Sequence, residues 1–401
     1  MAGNVLDYPV FDADNHMYET VEAFTKYLPK EYEGLIKFVE VNGRTKLALK
    51  NTISEYIPNP TFEIVAAPGA QEEYFRSGNP EGKSRREILG RPIRSPEAFF
   101  SPGPRLALMD EMGVDRAIMW PTLASLLEER LRRDPDATHV VVHALNEWMH
   151  EHWTFDYEHR IFATPVITLP IVARAIEELE WVVERGAKVV LIRPAPVPGF
   201  KAERSFALKE FDPFWQRVGE ADIAVGLHAS DDGQMRYLNQ WEGGGDNEYL
   251  PFAGPSAFAD VLHYQSRGIY DCVASMLGHG LLSRFPTLRM LPVENGSGWV
   301  RPLVEAVGHS YAKNPRLWTE DPIAVLKRNV WIHPFHEEDP RGLIDLVGAD
   351  RVVFGSDFPH PEGIAQPTSY VSELAGLAQE DIARIMGGNL TEVVRPDPVA
   401  V

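Results

Sequence analysis

The chain has 401 residues, 44% hydrophobic and 24% charged, the balance of an ordinary folded globular protein. A formal charge of −19 argues against nucleic acid or an anionic membrane as a partner, and one cysteine, Cys272, excludes an intramolecular disulfide and a cysteine-built zinc cluster. The stretch from Met1 to Pro9 lacks a basic segment and an apolar core, and no apolar run approaches the roughly 20 residues that span a bilayer. The expected location is cytoplasmic.

In chain order, the first strand-like run is Tyr8 to Asp14, and it leads into Asp14-Asn15-His16. Strand faces alternate with period 2, so Asp14 and His16 are expected to point the same way and grip one ion. Residues 28–104 then break the pattern. They are rich in Pro, Gly and charge and carry aromatics such as Tyr56, Phe62 and Phe99, as expected of an ordered cap over the active face. Strand-like runs follow at Asp115 to Trp120, Ile161 to Thr168, Lys188 to Arg193 and Ile223 to His228. Between them, Ile171 to Arg185 has clear helical periodicity, with Ala175, Leu179, Val182 and Val183 on one face. Ser230 to Pro255 is expected to be a mobile loop around Gly243-Gly244-Gly245-Asp246-Asn247. The last strand-like runs are Leu288 to Glu294, Val330 to Phe335 and Arg351 to Asp357, and the tail from Arg395 is expected to fray.

Strand and helix alternating through the whole chain predict parallel βα units, and eight of them predict a (β/α)8 TIM barrel, with a long insertion between its first and second strands. An open doubly wound sheet is the rival, but no glycine-rich phosphate turn follows the first run. One domain over residues 1–401, with 28–104 as its cap, is the expected organisation. In such a barrel the active site gathers at the C-terminal ends of the strands, and there stand Asp14, His16, His228 and Asp357. Carboxylate and imidazole together suit zinc, manganese or iron. A lone His228 reads as a capping histidine; four such groups at strand ends read as a metal site. Arg193 ends the fourth run, placed to clamp a substrate carboxylate or to close a salt bridge at the mouth. His360 and His336 follow the last two runs as candidates for substrate contact. His279, His309 and the cluster His139, His143, His150 and His152 are expected on outer helices.

The segments Arg105–Asp115, Asn146-Glu147-Trp148, Arg284–Arg289, Pro334–Glu338 and Gly355–His360 resemble the amidohydrolase superfamily. Specifically, they are similar to the amidohydrolase-related branch that includes aminocarboxymuconate-semialdehyde decarboxylase. The resemblance covers almost the whole chain apart from most of the insertion. It implies a divalent metal on Asp14, His16, His228 and Asp357, one ion or two, with Asp14 where the familiar pair carries His. It implies that Asp357 moves a proton in catalysis, with His360 beside it. Decarboxylases of the branch carry a proton-transferring His at the end of strand six. Here Glu294 stands in that place, as metal ligand, general base or partner to His228.

The expected function is a metal-dependent hydrolase or lyase acting on a small organic acid or amide. One alternative is a non-haem iron or mixed dinuclear oxygenase on the same fold. Another is a non-catalytic structural partner of an active paralogue. The expected partner is a small-molecule substrate, and a homodimer, or a hetero-oligomer with a paralogue, is expected by analogy.

Overall fold

The computed structural model describes residues 6–243, 256–264 and 266–398. The chain is a mixed α/β protein. Its first parallel sheet joins β1 (Phe11–Met17), β2 (Arg116–Pro121) and β3 (Ile161–Ala163), in the order β1-β2-β3. Its second joins β4 (Val189–Leu191), β5 (Ala224–His228) and β6 (Met290–Val293), with β5 in the middle. A single parallel bridge, Val166 to Leu191, links the end of the third predicted run to β4, and three more, Met290 to Val330, Ile332 to Val352 and Asn15 to Phe358, follow the last two predicted runs round to β1. The runs Val330–Phe335 and Arg351–Asp357 thus appear as isolated bridges rather than as regular strands.

The strands read as continuous apolar runs because they are covered on both faces. All seven residues of β1 are buried, and so are those of β4, β5 and β6. Helices α1 (Pro102–Met112), α2 (Pro135–Trp153), α3 (Val172–Val183) and α4 (Asp212–Glu220) separate the strands. Ala175, Leu179 and Val182 are the buried face of α3, and Val183 is half-buried. Trp120 fills the space beside β5 and donates its indole N–H to the Ala13 carbonyl at 2.8 Å. A Cβ on Gly226 would stand 2.1 Å from that ring, so glycine alone fits there. Overpacking by Gly226→Ala would cost about 1–3 kcal/mol.

Three predicted boundaries shift. The first strand starts at Phe11 rather than Tyr8 and runs on to Met17, because its pairing with β2 continues through Asn15–Met119, His16–Trp120 and Met17–Pro121. His16 is therefore inside the strand. The third strand is three residues long, and β6 ends one residue before Glu294. The insertion has structure of its own: an antiparallel sheet of Ile36–Val41, Arg44–Leu49 and Thr52–Ser54, and a small pair, Ile64–Val65 with Ile93–Arg94. Of the Ser230 to Pro255 stretch, Gln234–Glu242 is helical (α5), and residues 244–255 lie outside the described residues, as do 399–401 of the tail.

Candidate metal centre

The site begins with a buried clamp. Asp12 accepts hydrogen bonds from the amides of Asp14 (3.0 Å) and Ser356 (2.9 Å) with one oxygen. Its other oxygen takes the Asn15 amide (2.9 Å) and the Ser356 hydroxyl (2.5 Å). Arg105 adds its own grip, donating to the Asn15 side chain, the His16 carbonyl and the Ala98 carbonyl. The Asp357 amide donates to the Asp14 carbonyl at 2.7 Å and the His16 amide to the Phe358 carbonyl at 2.7 Å. First and last strand segments are thus locked side by side, and Asp14 and His16 meet Asp357.

His16 Nε2 lies 3.4 Å from Asp14 Oδ1, 3.5 Å from Glu294 Oε2, 3.5 Å from Asp357 Oδ1 and 3.2 Å from His228 Nε2. His228 Nε2 lies 3.4 Å from Asp14 Oδ1 and 3.1 Å from Glu294 Oε2. Two overlapping four-residue sets result: Asp14, His16, His228 and Glu294, and His16, Glu294, Asp357 and His360. Asp14 is fully buried, yet neither of its oxygens has a hydrogen-bond partner. Asp357 Oδ1 and His360 Nδ1 stand 2.7 Å apart as a contact pair, and neither makes a well-directed hydrogen bond. Buried polar atoms are almost always satisfied. Unsatisfied carboxylate oxygens converging with imidazole nitrogens suit a divalent cation, and mixed N/O donors suit zinc, manganese or iron.

The backbone is bent to this purpose. Glu294 and Asp357 both have left-handed φ, 54° and 55°, a conformation of non-glycine residues that recurs at functional sites. Glu338 holds the Glu294 loop by accepting the amides of Ser297, Gly298 and Phe335. Gly355 leaves room where a Cβ would stand 2.7 Å from both Asp14 and His333.

Burial alone would raise the Asp14 carboxyl, but the His16 and His228 imidazoles hold it far below the usual range. Burial opposes charge on His16, and the Asp14 and Glu294 carboxylates overcome it, pushing the imidazole up to about 9. Burial, then repulsion from Glu294, Glu362 and Asp14, holds Asp357 well above the carboxylate range. Burial and the neighbouring His16 hold His360 well below its ordinary value.

Other predicted residues stand apart from these sets. Arg193 donates to the Asp231 carbonyl (2.7 Å) and pairs with the buried carboxylate of Glu129 (2.5 Å). His336 lies beside Glu337 (3.4 Å), with Arg76 donating to its carbonyl, and burial lowers its imidazole to about 4. His143 pairs with Glu178 at 2.7 Å and His139 accepts the Ile171 amide, both on α2. Sequence reasoning missed His333. It is buried, 3.4 Å from Asp14 Oδ2, and contacts the Gly355 carbonyl. Its signal was a histidine inside the seventh apolar run, two residues before the end of that run. Thr122, which bonds the Met17 carbonyl and lies 3.3 Å from both His16 and His360, had no signal at all.

A family model described as amidohydrolase matches residues 56–395. A curated relative, 2-amino-3-carboxymuconate-6-semialdehyde decarboxylase of Dictyostelium discoideum, is 24% identical over 131 residues, 31% of this chain and 36% of the relative. The chain therefore matches about a third of that relative's length. The crystal structure of an amidohydrolase from Mycobacterium avium subsp. paratuberculosis K-10 is 37% identical, covers 97% of this chain and 98% of its own, and superposes with a TM-score of 0.90. A 5-carboxyvanillate decarboxylase from Novosphingobium aromaticivorans DSM 12444, complexed with manganese, is 16% identical, covers 98% of each chain and superposes at 0.59, a likeness of fold alone. Sequence and fold agree: this chain belongs to the amidohydrolase family.

Proposed function

We propose that the chain is a metal-dependent lyase that removes CO2 from a small organic acid. The fold we propose is one closed (β/α)8 barrel over residues 1–401, with the four parallel bridges completing the ring and residues 28–104 capping its active face. The observation that carries the reading is the fully buried Asp14 carboxylate, whose oxygens have no hydrogen-bond partner: Oδ1 faces His16 and His228, and Oδ2 faces His333. Support for a cap comes from its contacts: the Gly69 amide donates to the His360 carbonyl, and Phe62 stacks on Tyr18, 4.2 Å between ring centres.

In this reading Asp14, His16, His228 and Asp357 hold one zinc, manganese or iron ion, with Glu294 in contact directly or through a water. A bound divalent ion would supply a Lewis acid that holds the substrate carboxylate and spreads its negative charge. The chain's own residues do the rest. The cap excludes water, and Thr122 fixes the His16 and His360 rings. As the C–C bond to CO2 breaks, the electron pair stays on carbon and needs a proton. The Asp357–His360 pair, 2.7 Å apart, is placed to move it.

Hydrolysis of an amide at the same site is the second reading, favoured by the 37%-identical structure, which is described as an amidohydrolase. The test is chelation, reconstitution with Mn2+, Zn2+ or Fe2+, and assay of 2,6-dihydroxybenzoate and 5-carboxyvanillate for CO2 and of simple amides for ammonia. Metal-dependent CO2 release is expected; ammonia release without CO2 would establish the hydrolase instead. Gel filtration would decide whether the chain pairs with itself.

A further inference from the structure

The insertion reaches His360 by two routes. One holds the backbone. The Gly69 amide donates to the His360 carbonyl at 3.1 Å, and the Gln71 amide to the Pro361 carbonyl at 2.7 Å. The approach is close, since a Cβ on Gly69 would stand 2.7 Å from the Ala365 amide nitrogen. The other route runs through rings. Phe62 and Tyr18 are stacked, 7° from parallel with centres 4.2 Å apart. The Tyr18 ring lies 20° from parallel with the His360 ring, centres 5.9 Å apart, and the His360 ring lies 4.0 Å from that of His16. Rings at such separations attract one another beyond the effect of their burial.

We propose that Phe62 is a positioning residue: acting through the ring of Tyr18, it sets the rotation of the His360 imidazole. The proposal rests on the reading that the Asp357–His360 pair moves a proton. Both nitrogens of that imidazole depend on its rotation. Nδ1 lies 2.7 Å from Asp357 Oδ1, and Nε2 lies 3.3 Å from the Thr122 hydroxyl. Contacts at the edge of a ring weaken steeply as the ring turns. A stacked neighbour resists the turn.

Phe62 is itself held in an unusual way. Its φ is 52°, in the left-handed region, an outlier for a bulky side chain. Such a conformation persists only where the surroundings over-determine it. The Phe62 amide donates to the Asn59 carbonyl at 3.2 Å, and its carbonyl accepts the Ser95 hydroxyl. The bend aims the ring at Tyr18. Tyr18 is buried, its amide donates to the Phe99 carbonyl at 2.9 Å, and the rings of Phe99 and Phe100 meet it edge-on. Removing the Phe62 ring bares a face of Tyr18, and the slack passes to His360. A contact that served only to fasten the insertion would lower stability and leave His360 alone.

The experiment compares full-length, Mn2+-loaded wild type, Phe62→Leu, His360→Gln and the double variant. Leucine keeps most of the apolar volume and removes the flat face. With whichever substrate the reconstituted protein turns over, Phe62→Leu should lower kcat by about 10–100-fold, with KM and metal content little changed. In the His360→Gln background the same substitution should change kcat by less than about two-fold, because nothing is left to position. Equal losses in the two backgrounds, or a loss confined to stability or KM, would overturn the proposal. Tyr18→Leu should repeat the pattern, and it carries the test if Phe62→Leu does not fold. Crystal structures of the loaded wild type and Phe62→Leu need no turnover. The His360 ring should be rotated in the variant, with Nδ1 drawn away from Asp357; a ring that superposes on that of wild type would refute the positioning role. If no substrate turns over, the proposed reaction fails and the crystallographic comparison still decides the role of Phe62.

Discussion

Two clusters of buried charge lie close together in this protein, and they are built on opposite principles. In one, Glu129 is met by three guanidinium groups: Arg193 at 2.5 Å, Arg236 at 2.9 Å and Arg132 at 3.1 Å. In the other, Asp14 is buried just as deeply, and both its oxygens lack a hydrogen-bond partner. Burying a carboxylate without compensation is costly. The first cluster has its compensation in the chain, tying the short helix Leu127–Leu131 to the ends of β4 and β5. In the second, the groups facing Asp14 are the imidazoles of His16, His228 and His333, which are metal-ligating groups rather than guanidiniums. Burial and charge alone do not separate a structural cluster from a functional one; the kind of group facing the carboxylate does.

The sharpest break of that contrast is Asp14→Ala. Elemental analysis of the purified variant should find the metal gone, and turnover with it. Full metal occupancy in that variant would remove Asp14 from the site. Glu129→Ala should do the opposite. Leaving Arg193 buried and unpaired should destabilise the fold by about 3–5 kcal/mol in urea denaturation, with the metal still bound at low temperature. Loss of metal without loss of stability would reverse the assignment.

A milder change tests the clamp beneath the centre. Asp12→Asn keeps the shape but cannot accept from four donors as a carboxylate does, and metal affinity should fall on the order of 10–100-fold. Chelator competition would measure it, and an unchanged dissociation constant would show that the clamp serves folding alone. Glu294→Gln should lower metal occupancy if Glu294 touches the ion. If it only moves a proton, occupancy should hold and the rate should drop by about 10²–10⁴.

The smallest effect is a dependence on pH. His16 is raised to about 9 in the metal-free protein, from an ordinary value near 6.5. A histidine raised by folding stabilises the native state fully below its unfolded value, and that contribution is lost as pH rises through about 9. Metal-free protein should therefore lose urea resistance between pH 6.5 and 9, and His16→Gln should flatten that slope. Because a ligating imidazole must be neutral, metal uptake near pH 7.5 should release about one proton from His16, measurable in a weakly buffered solution.

The features that could be read from the sequence are those with a local signature. Apolar runs and helical periodicity mark β1 to β6 and α3 because burial on both faces imposes them. Asp14 and His16 were legible because a strand fixes their common face. His333 escaped because an apolar run hides a histidine whose role depends on a neighbour about 320 positions earlier in the chain. For Arg193 the sequence left a substrate clamp and a salt bridge both open, since only the folded chain shows that Glu129 pairs with it. The insertion's own sheets escaped because Arg44–Leu49 and its neighbours are short and carry charge on their open face.

The Asp12–Ser356 clamp joins residues 344 positions apart. A ribosome delivers the first of them long before the second, at about 5–20 residues per second. Until Ser356 and Asp357 emerge, Asp14 and His16 have neither their clamp nor the carboxyl of Asp357. The centre is therefore a property of the finished chain: a truncated or nascent copy carries most of the donors and none of the site. Metal uptake followed during synthesis should come last, as a signal that the two ends of the polypeptide have met.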